Sequence, residues 1–196
     1  MRVILAGREG RLGMTGPLHM LFDTAIGRCG IAWGDDGIVA VSFPEVDDAR
    51  TRQRLLRRAP DAGETDAPPD AIAQVIEGIR ALALGGTARF DDAELDWKGV
   101  PSFDRSVYAL TRAIGPGEMR TYGELARDLG DIALSRQVGQ SLGSNPFPIV
   151  VPCHRVVGAN GVMTGFSAPG GVETKRRLLK IEGAIGPDLL DLLGPT

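Results

Sequence analysis

The stretch Asn145-Pro-Phe-Pro-Ile-Val-Val-Pro-Cys-His-Arg-Val-Val157 places three prolines in the eight residues before Cys153. Each proline fixes its own φ and pushes the residue before it out of the helical region, so the segment is expected to be stiff and extended. A stiff support delivers one thiol and one imidazole to a fixed place, as a nucleophile needs. A free thiol, with a pKa near 8.5, is mostly protonated at neutral pH, and the thiolate is the attacking form. A histidine can take that proton, directly or through a water, and a carboxylate can stabilise the resulting imidazolium. Adjacent side chains in an extended segment point apart, which favours a water between Cys153 and His154. A Cys-His dipeptide without context is also a common accident.

Outward from this stretch the second half of the chain reads as helical. Ser102 can cap a helix bearing Phe103, Val107, Leu110 and Ile114, and Gly115-Pro-Gly117 ends it. Thr121-Tyr-Gly-Glu124 has the form of a capping box opening a short helix through Leu129. Gly130 stops it, and another helix starts at Asp131 or Ala133 and runs through Val138 and Leu142 to Gly143. Two short helices around a tight turn form a helix-turn-helix outline, which an ordinary helical hairpin also fits. A last helix is expected from about Gly171 to Ile181.

The first half reads as a small α/β unit over residues 20–92. Gly30–Trp33 and Ile38–Phe43 flank Gly34-Asp-Asp-Gly37, a hairpin signal, with Cys29 a small core residue at the strand's entry. Asp47–Arg58 is a charged helix, Ala59–Pro69 a surface loop, and Asp70–Leu84 a helix with Ile72, Val75, Ile76, Ile79 and Leu82 on one face. Residues 1–19 read as a disordered arm, 93–100 as a linker, 101–184 as a second domain and 185–196 as a tail.

Composition sets outer bounds. The chain has 196 residues, 43% apolar and 24% charged, the profile of an ordinary globular protein. No apolar run long enough for a membrane span or signal peptide is present, so a cytoplasmic protein without a membrane partner is expected. Two cysteines and two histidines cannot form a disulfide framework, and a four-ligand zinc site would need all of them at once. The net charge of −3 argues against nucleic acid as a partner. Its distribution softens that: residues 101–184 carry 10 Lys+Arg against 7 Asp+Glu. A mildly basic half permits phosphate contact on one face.

Pro152-Cys-His-Arg155 followed by Val156-Val157 resembles the active-site motif of the O6-alkylguanine-DNA alkyltransferases. Thr121-Tyr-Gly-Glu-Leu-Ala126, Ser135-Arg-Gln-Val-Gly139, Asn145-Pro, Gly165-Phe-Ser-Ala-Pro-Gly-Gly171 and Lys175–Gly183 stand around it in the family's order. The resemblance implies a ribonuclease-H-like α/β domain followed by a mainly α domain with a winged-helix-like helix-turn-helix. It implies a monomeric, cofactor-free repair protein acting on double-stranded DNA that contains O6-alkylguanine, with O4-alkylthymine a further substrate. The alkyl group passes irreversibly to Cys153, once per molecule, because a thioether gives water no activated carbonyl to attack.

The resemblance also implies roles. Cys153 is nucleophile and acceptor, and His154 the base acting through water. Glu182 pairs with the histidine and favours its charged form. Asn145 braces the turn, and Tyr122 assists the departing guanine. Arg136 is the finger that fills the gap left by the flipped nucleotide, with Ser135, Gln137, Gly139 and Thr121 beside it on DNA. Val156, Ser167, Phe166 and Arg155 line the base pocket. Phe166 stands where many members carry tyrosine, and the zinc of some members cannot be built here from Cys29 and His19. The alternative is a damage sensor of the alkyltransferase-like type, whose members lack the cysteine that this chain has.

Overall fold

The computed structural model describes residues 16–187. Most of the expected arm and tail therefore lies outside the described residues. A sheet of order β3-β2-β1-β4 opens the chain, built from β1 (Leu18–Thr24), β2 (Gly27–Gly34), β3 (Gly37–Ser42) and the two-residue β4 (Gly63–Glu64). β2 pairs antiparallel with β1 and β3, while β4 runs parallel to β1, so the sheet is mixed. The hairpin closes with Gly34 opposite Gly37. At Gly37, φ is +117°, and a side chain there would meet the Glu94 carbonyl at 2.6 Å. Only glycine allows that approach.

β1 is a correction. Residues up to 19 are expected to form a disordered arm, yet β1 begins at Leu18 and lies inside the sheet. Its neighbours cover both faces, so the strand lacks the apolar-polar alternation that would have marked it. His19 is buried within it, and its Nδ1 meets the Ala62 carbonyl at 3.0 Å. The expected linker also differs. Ile38 N–H donates to the Glu94 carbonyl and Asp96 N–H to that of Ile38, which stitches residues 94–96 along β3 and buries Leu95.

Two helices cover this unit. α1 (Asp48–Leu56) starts at Asp47, whose carboxylate accepts from Arg50 N–H at 2.7 Å. α2 (Asp70–Ala83) buries Ile72, Val75, Ile76, Ile79 and Leu82, the face expected from their spacing. Each such side chain contributes about 1.5–3 kcal/mol when fully buried.

The second half is helical, as expected: α3 (Ser102–Arg112), α4 (Tyr122–Asp128), α5 (Ser135–Gly143) and α6 (Val172–Ile181). α3 corrects one detail: Pro101 occupies the cap position, and Ser102 is the first helical residue without a capping bond. A single 3-10 turn, Ile132–Leu134, joins α4 to α5. β5 (Arg120–Thr121) pairs in parallel with β6 (Val156–Val157). The apolar core is continuous, running from Phe22, Ile31 and Ile79 to Val107, Val138 and Leu178. No helix among the described residues is long and apolar enough to cross a membrane.

Candidate active site

The backbone before Cys153 is constrained but not extended. It folds back on itself, with Val151 N–H donating to the Phe147 carbonyl at 2.7 Å. Ile149 takes φ +74°, a left-handed conformation unusual for a β-branched residue and held by its surroundings. Asn145 organises the turn: its Oδ1 accepts from Phe147 N–H and its Nδ2 donates to the Val151 carbonyl, both at 2.9 Å. Pro152, at φ −79° and ψ 66°, makes an inverse γ-turn in which Cys153 N–H donates to the Val151 carbonyl. Cys153–Arg155 is then a 3-10 turn, so the two reactive side chains are not splayed by an extended strand.

The same turn feeds β6, whose partner β5 runs directly into α4. Residues 120–121 lie opposite 156–157. Tyr122, first residue of α4, is thereby carried to the cysteine's side. The entry of α4 is fixed by the expected capping box: Thr121 Oγ1 accepts from Glu124 N–H, and the Glu124 carboxylate accepts from Thr121 N–H. α6 closes the site from the other side with Lys175 and, at its end, Glu182.

The buried centre is an ion-pair network. His154 and the side chain of Glu182 are fully buried, with Nε2 to Oε1 at 2.8 Å. Arg155 donates to both carboxylate oxygens at 2.9 Å and to the Ile114 carbonyl at 2.6 Å. Burial alone would raise the Glu182 pKa; hydrogen bonds from His154 and Arg155 outweigh it and bring it down to about 2. Glu182 is thus a carboxylate and only accepts, so the Nε2 proton belongs to the histidine. Burial lowers the His154 pKa below 6.5, and the charges of Arg155 and Lys175 add to this against the pull of Glu182. The resting imidazole is therefore neutral: Glu182 does favour the charged form, as expected of it, but burial outweighs that pull. The Nδ1 lone pair of the imidazole has no partner among the described residues.

Cys153 is 7% exposed and lines a cavity of about 320 Å³ with Asn145, Pro148, Phe166 and Ser167. Burial pushes its thiol up, against a hydrogen bond from Asn145 and the charge of Lys175. The thiol rests protonated, so attack requires a base. Phe166 sits edge-on to Phe43 at 5.7 Å between centroids. Tyr122 is half-buried, with its phenol pKa raised by burial and opposed by a bond to Thr164.

Two residues expected in the base pocket are tied into the backbone and ion-pair network behind Cys153. Arg155 is committed to Glu182 and Ile114 and is a brace. Val156 N–H donates to the Cys153 carbonyl, and its own carbonyl accepts from Lys175, which leaves the second lone pair of that oxygen as the group its backbone can offer a base edge. Arg136 and Gln137 are exposed at the start of α5, and Arg136 makes no hydrogen bond or ion pair among the described residues. Ser135 donates to the Ile132 carbonyl in the turn, and Gly139 faces the Tyr122 ring.

Lys175 is the buried cation at the site that sequence reasoning missed. It is fully buried, donates to the Val156 carbonyl and lies 5.7 Å from the centre of the Tyr122 ring. Desolvation lowers its pKa to about 8, against the stabilising effect of Cys153. The signal was available: Lys175 shares one helical face with Leu178, Leu179 and Glu182, where an uncharged residue is the norm.

Comparison with known proteins places the chain in a family. Residues 102–184 match the family model described as the DNA-binding domain of 6-O-methylguanine DNA methyltransferase. A methylated-DNA-protein-cysteine methyltransferase of Methanothermobacter thermautotrophicus is 34% identical over 166 residues, covering 85% of this chain and 82% of the relative. That of Mycolicibacterium paratuberculosis is 42% identical over 160 residues, 81% of this chain and 94% of the relative. The crystal structure of Mycobacterium tuberculosis OGT in complex with DNA superimposes with a TM-score of 0.68 at 32% identity, covering 90% of this chain and 99% of the other.

Proposed function

This chain belongs to the methylated-DNA-protein-cysteine methyltransferase family of direct-reversal DNA repair enzymes, and from that premise we propose how its residues do the chemistry. The substrate is double-stranded DNA carrying O6-alkylguanine, with the damaged nucleotide turned out of the stack. Extrusion costs a few kcal/mol. Arg136, exposed and unpaired at the start of α5, offsets part of it by filling the gap. Ser135, Gln137 and Gly139 lie on α5 and Thr121 at the cap of α4, and they bear on the backbone around it.

The observation that carries the mechanism is the neutral, buried His154 with its Nε2–H on Glu182 and its Nδ1 without a partner among the described residues. Such an imidazole is a base aimed by a carboxylate. It takes the Cys153 proton through a bridging water, and Glu182 stabilises the imidazolium that forms. The thiolate displaces the alkyl carbon from O6. Tyr122 donates towards the departing guanine, Lys175 supports both sulfur and phenol by its charge, and Asn145 holds the turn. Phe166 and Ser167 form the cavity wall beside the base. The product is a thioether, so each molecule reacts once.

The sheet order with β4 parallel to β1 supports a ribonuclease-H-like reading of the first half, and the β5-β6 pair beside α4 and α5 supports a winged-helix-like second half. Peptide mass spectrometry after incubation with O6-methylguanine duplex tests the function. One added methyl on the Cys153 peptide, absent in Cys153→Ala, is expected. Many methyl transfers per protein molecule would rule out the acceptor role.

A further inference from the structure

The cavity that Cys153 lines has an unusual charge. Its only ionised side chains are Arg54, Arg57 and Arg58; no aspartate or glutamate lines it. Arg54 stands in the last turn of α1, Arg57 is its C-cap and Arg58 follows, so all three leave the C-terminal end of the helix towards the cavity. This lies within a protein of net charge −3 whose acidic excess falls outside residues 101–184. Cations favour a helix C-terminus in general, but that does not require them to face a cavity.

The three are not equivalent. Arg54 pairs with Glu45 at 3.1 Å and donates to the Ser167 carbonyl at 2.6 Å. Arg58 donates to the Ser144 carbonyl at 2.7 Å. They tie α1 to the two loops that form the cavity's lips. Arg57 is exposed and makes no side-chain hydrogen bond or ion pair among the described residues, so its guanidinium is available. The neighbouring walls are Ala40, Val41, Leu55 and Phe43, none of which can neutralise it.

We propose that these arginines, Arg57 above all, make the enzyme selective for O6 substituents that carry a negative charge, the carboxymethyl group being the smallest. The proposal rests on the alkyltransferase reading above and names a substrate class within it. In the transfer, the Cys153 sulfur gives the electron pair of the new S–C bond to the first carbon of the substituent. The C–O6 bond breaks and its pair leaves with the guanine. The thiol proton goes to His154, and the departing guanine takes up one proton, so none is consumed overall. A carboxylate on that carbon places one negative charge beside an anionic nucleophile, and their repulsion opposes attack. Guanidinium groups around the carboxylate remove that penalty and bind it directly.

Three duplexes test this, carrying O6-methylguanine, O6-carboxymethylguanine or its uncharged counterpart O6-carbamoylmethylguanine. Single-turnover transfer to Cys153 is followed by intact-protein mass. The wild type is expected to take carboxymethyl on the order of tenfold faster than carbamoylmethyl, a gap of one charge-assisted contact. Arg57→Gln is expected to bring that ratio to about one and leave methyl transfer as it was, while Arg57→Lys keeps part of the preference. A wild-type ratio at or below one overturns the proposal. So does an Arg57→Gln variant that slows all three substrates alike, which would assign Arg57 to the DNA phosphates. Loss of transfer from every substrate, methyl included, would instead remove the alkyltransferase reading, and this proposal with it.

Discussion

At the residue scale the site depends on which groups carry charge at rest. Glu182 is ionised, His154 neutral, and Cys153 a protonated thiol. Glu182 serves two donors, so its loss leaves Arg155 buried without its carboxylate. Breaking a buried pair from one side costs about 3–5 kcal/mol. Glu182→Gln is expected to lower stability by about that amount in urea titration, and to slow methyl transfer by about 10–100-fold where it remains folded. An undiminished transfer rate would separate Glu182 from the chemistry.

Lys175 makes the opposite bargain. Its pKa falls from 10.5 to about 8 on folding, so below pH 8 the fold carries the penalty of a buried cation. The shift corresponds to about 3 kcal/mol, reduced by about 1 kcal/mol for the hydrogen bond to Val156. Lys175→Met should therefore be more stable at pH 7 by about 2 kcal/mol and slower in transfer. A variant both less stable and equally fast would mark the lysine as structural.

At the element scale the most local device is the Thr121–Glu124 capping box, which sets where α4 begins and hence where Tyr122 stands. Thr121→Ala removes one cap and costs about 1 kcal/mol. It should lower the melting temperature by a few degrees and slow transfer by less than Tyr122→Phe does. The capping box was readable because its bonds join residues three apart. The Asn145 turn was readable as rigid, but its direction was not. Prolines restrict φ, yet the fold-back at Ile149 and the turn at Pro152 are held by bonds that bring the chain back on itself. Reading the motif as extended failed for that reason.

At the scale of the whole molecule, one apolar core joins the sheet to the helices, and Arg54 and Arg58 of α1 reach the loops around the cavity. The two halves should unfold together, with Trp33 and Trp97 fluorescence and far-ultraviolet circular dichroism giving coincident curves. Acid should bring that transition on in a defined window. His154 has a folded pKa below 6.5, so the unfolded chain takes up its proton first and stability begins to fall beneath pH 6.5. Glu182 contributes stability that is complete above pH 4.5 and is lost as pH drops towards its folded value of about 2. Stability measured from pH 7 to pH 3 should decline throughout, and a flat profile would contradict both assignments.

The sequence by itself determined the helices of the second half, the hairpin and the face of α2. These depend on periodicity, capping and turn residues, whose physics is contained within a few neighbouring positions. Only the tertiary structure decided that His19 lies within a sheet, that Arg155 is a brace, that His154 rests neutral and that Lys175 is buried beside the phenol. Each of those outcomes is set by burial and by partners distant along the chain, such as Arg155 and Glu182, 27 positions apart. Desolvation and long-range pairing have no signature in local spacing, because they depend on what the fold brings against each charge.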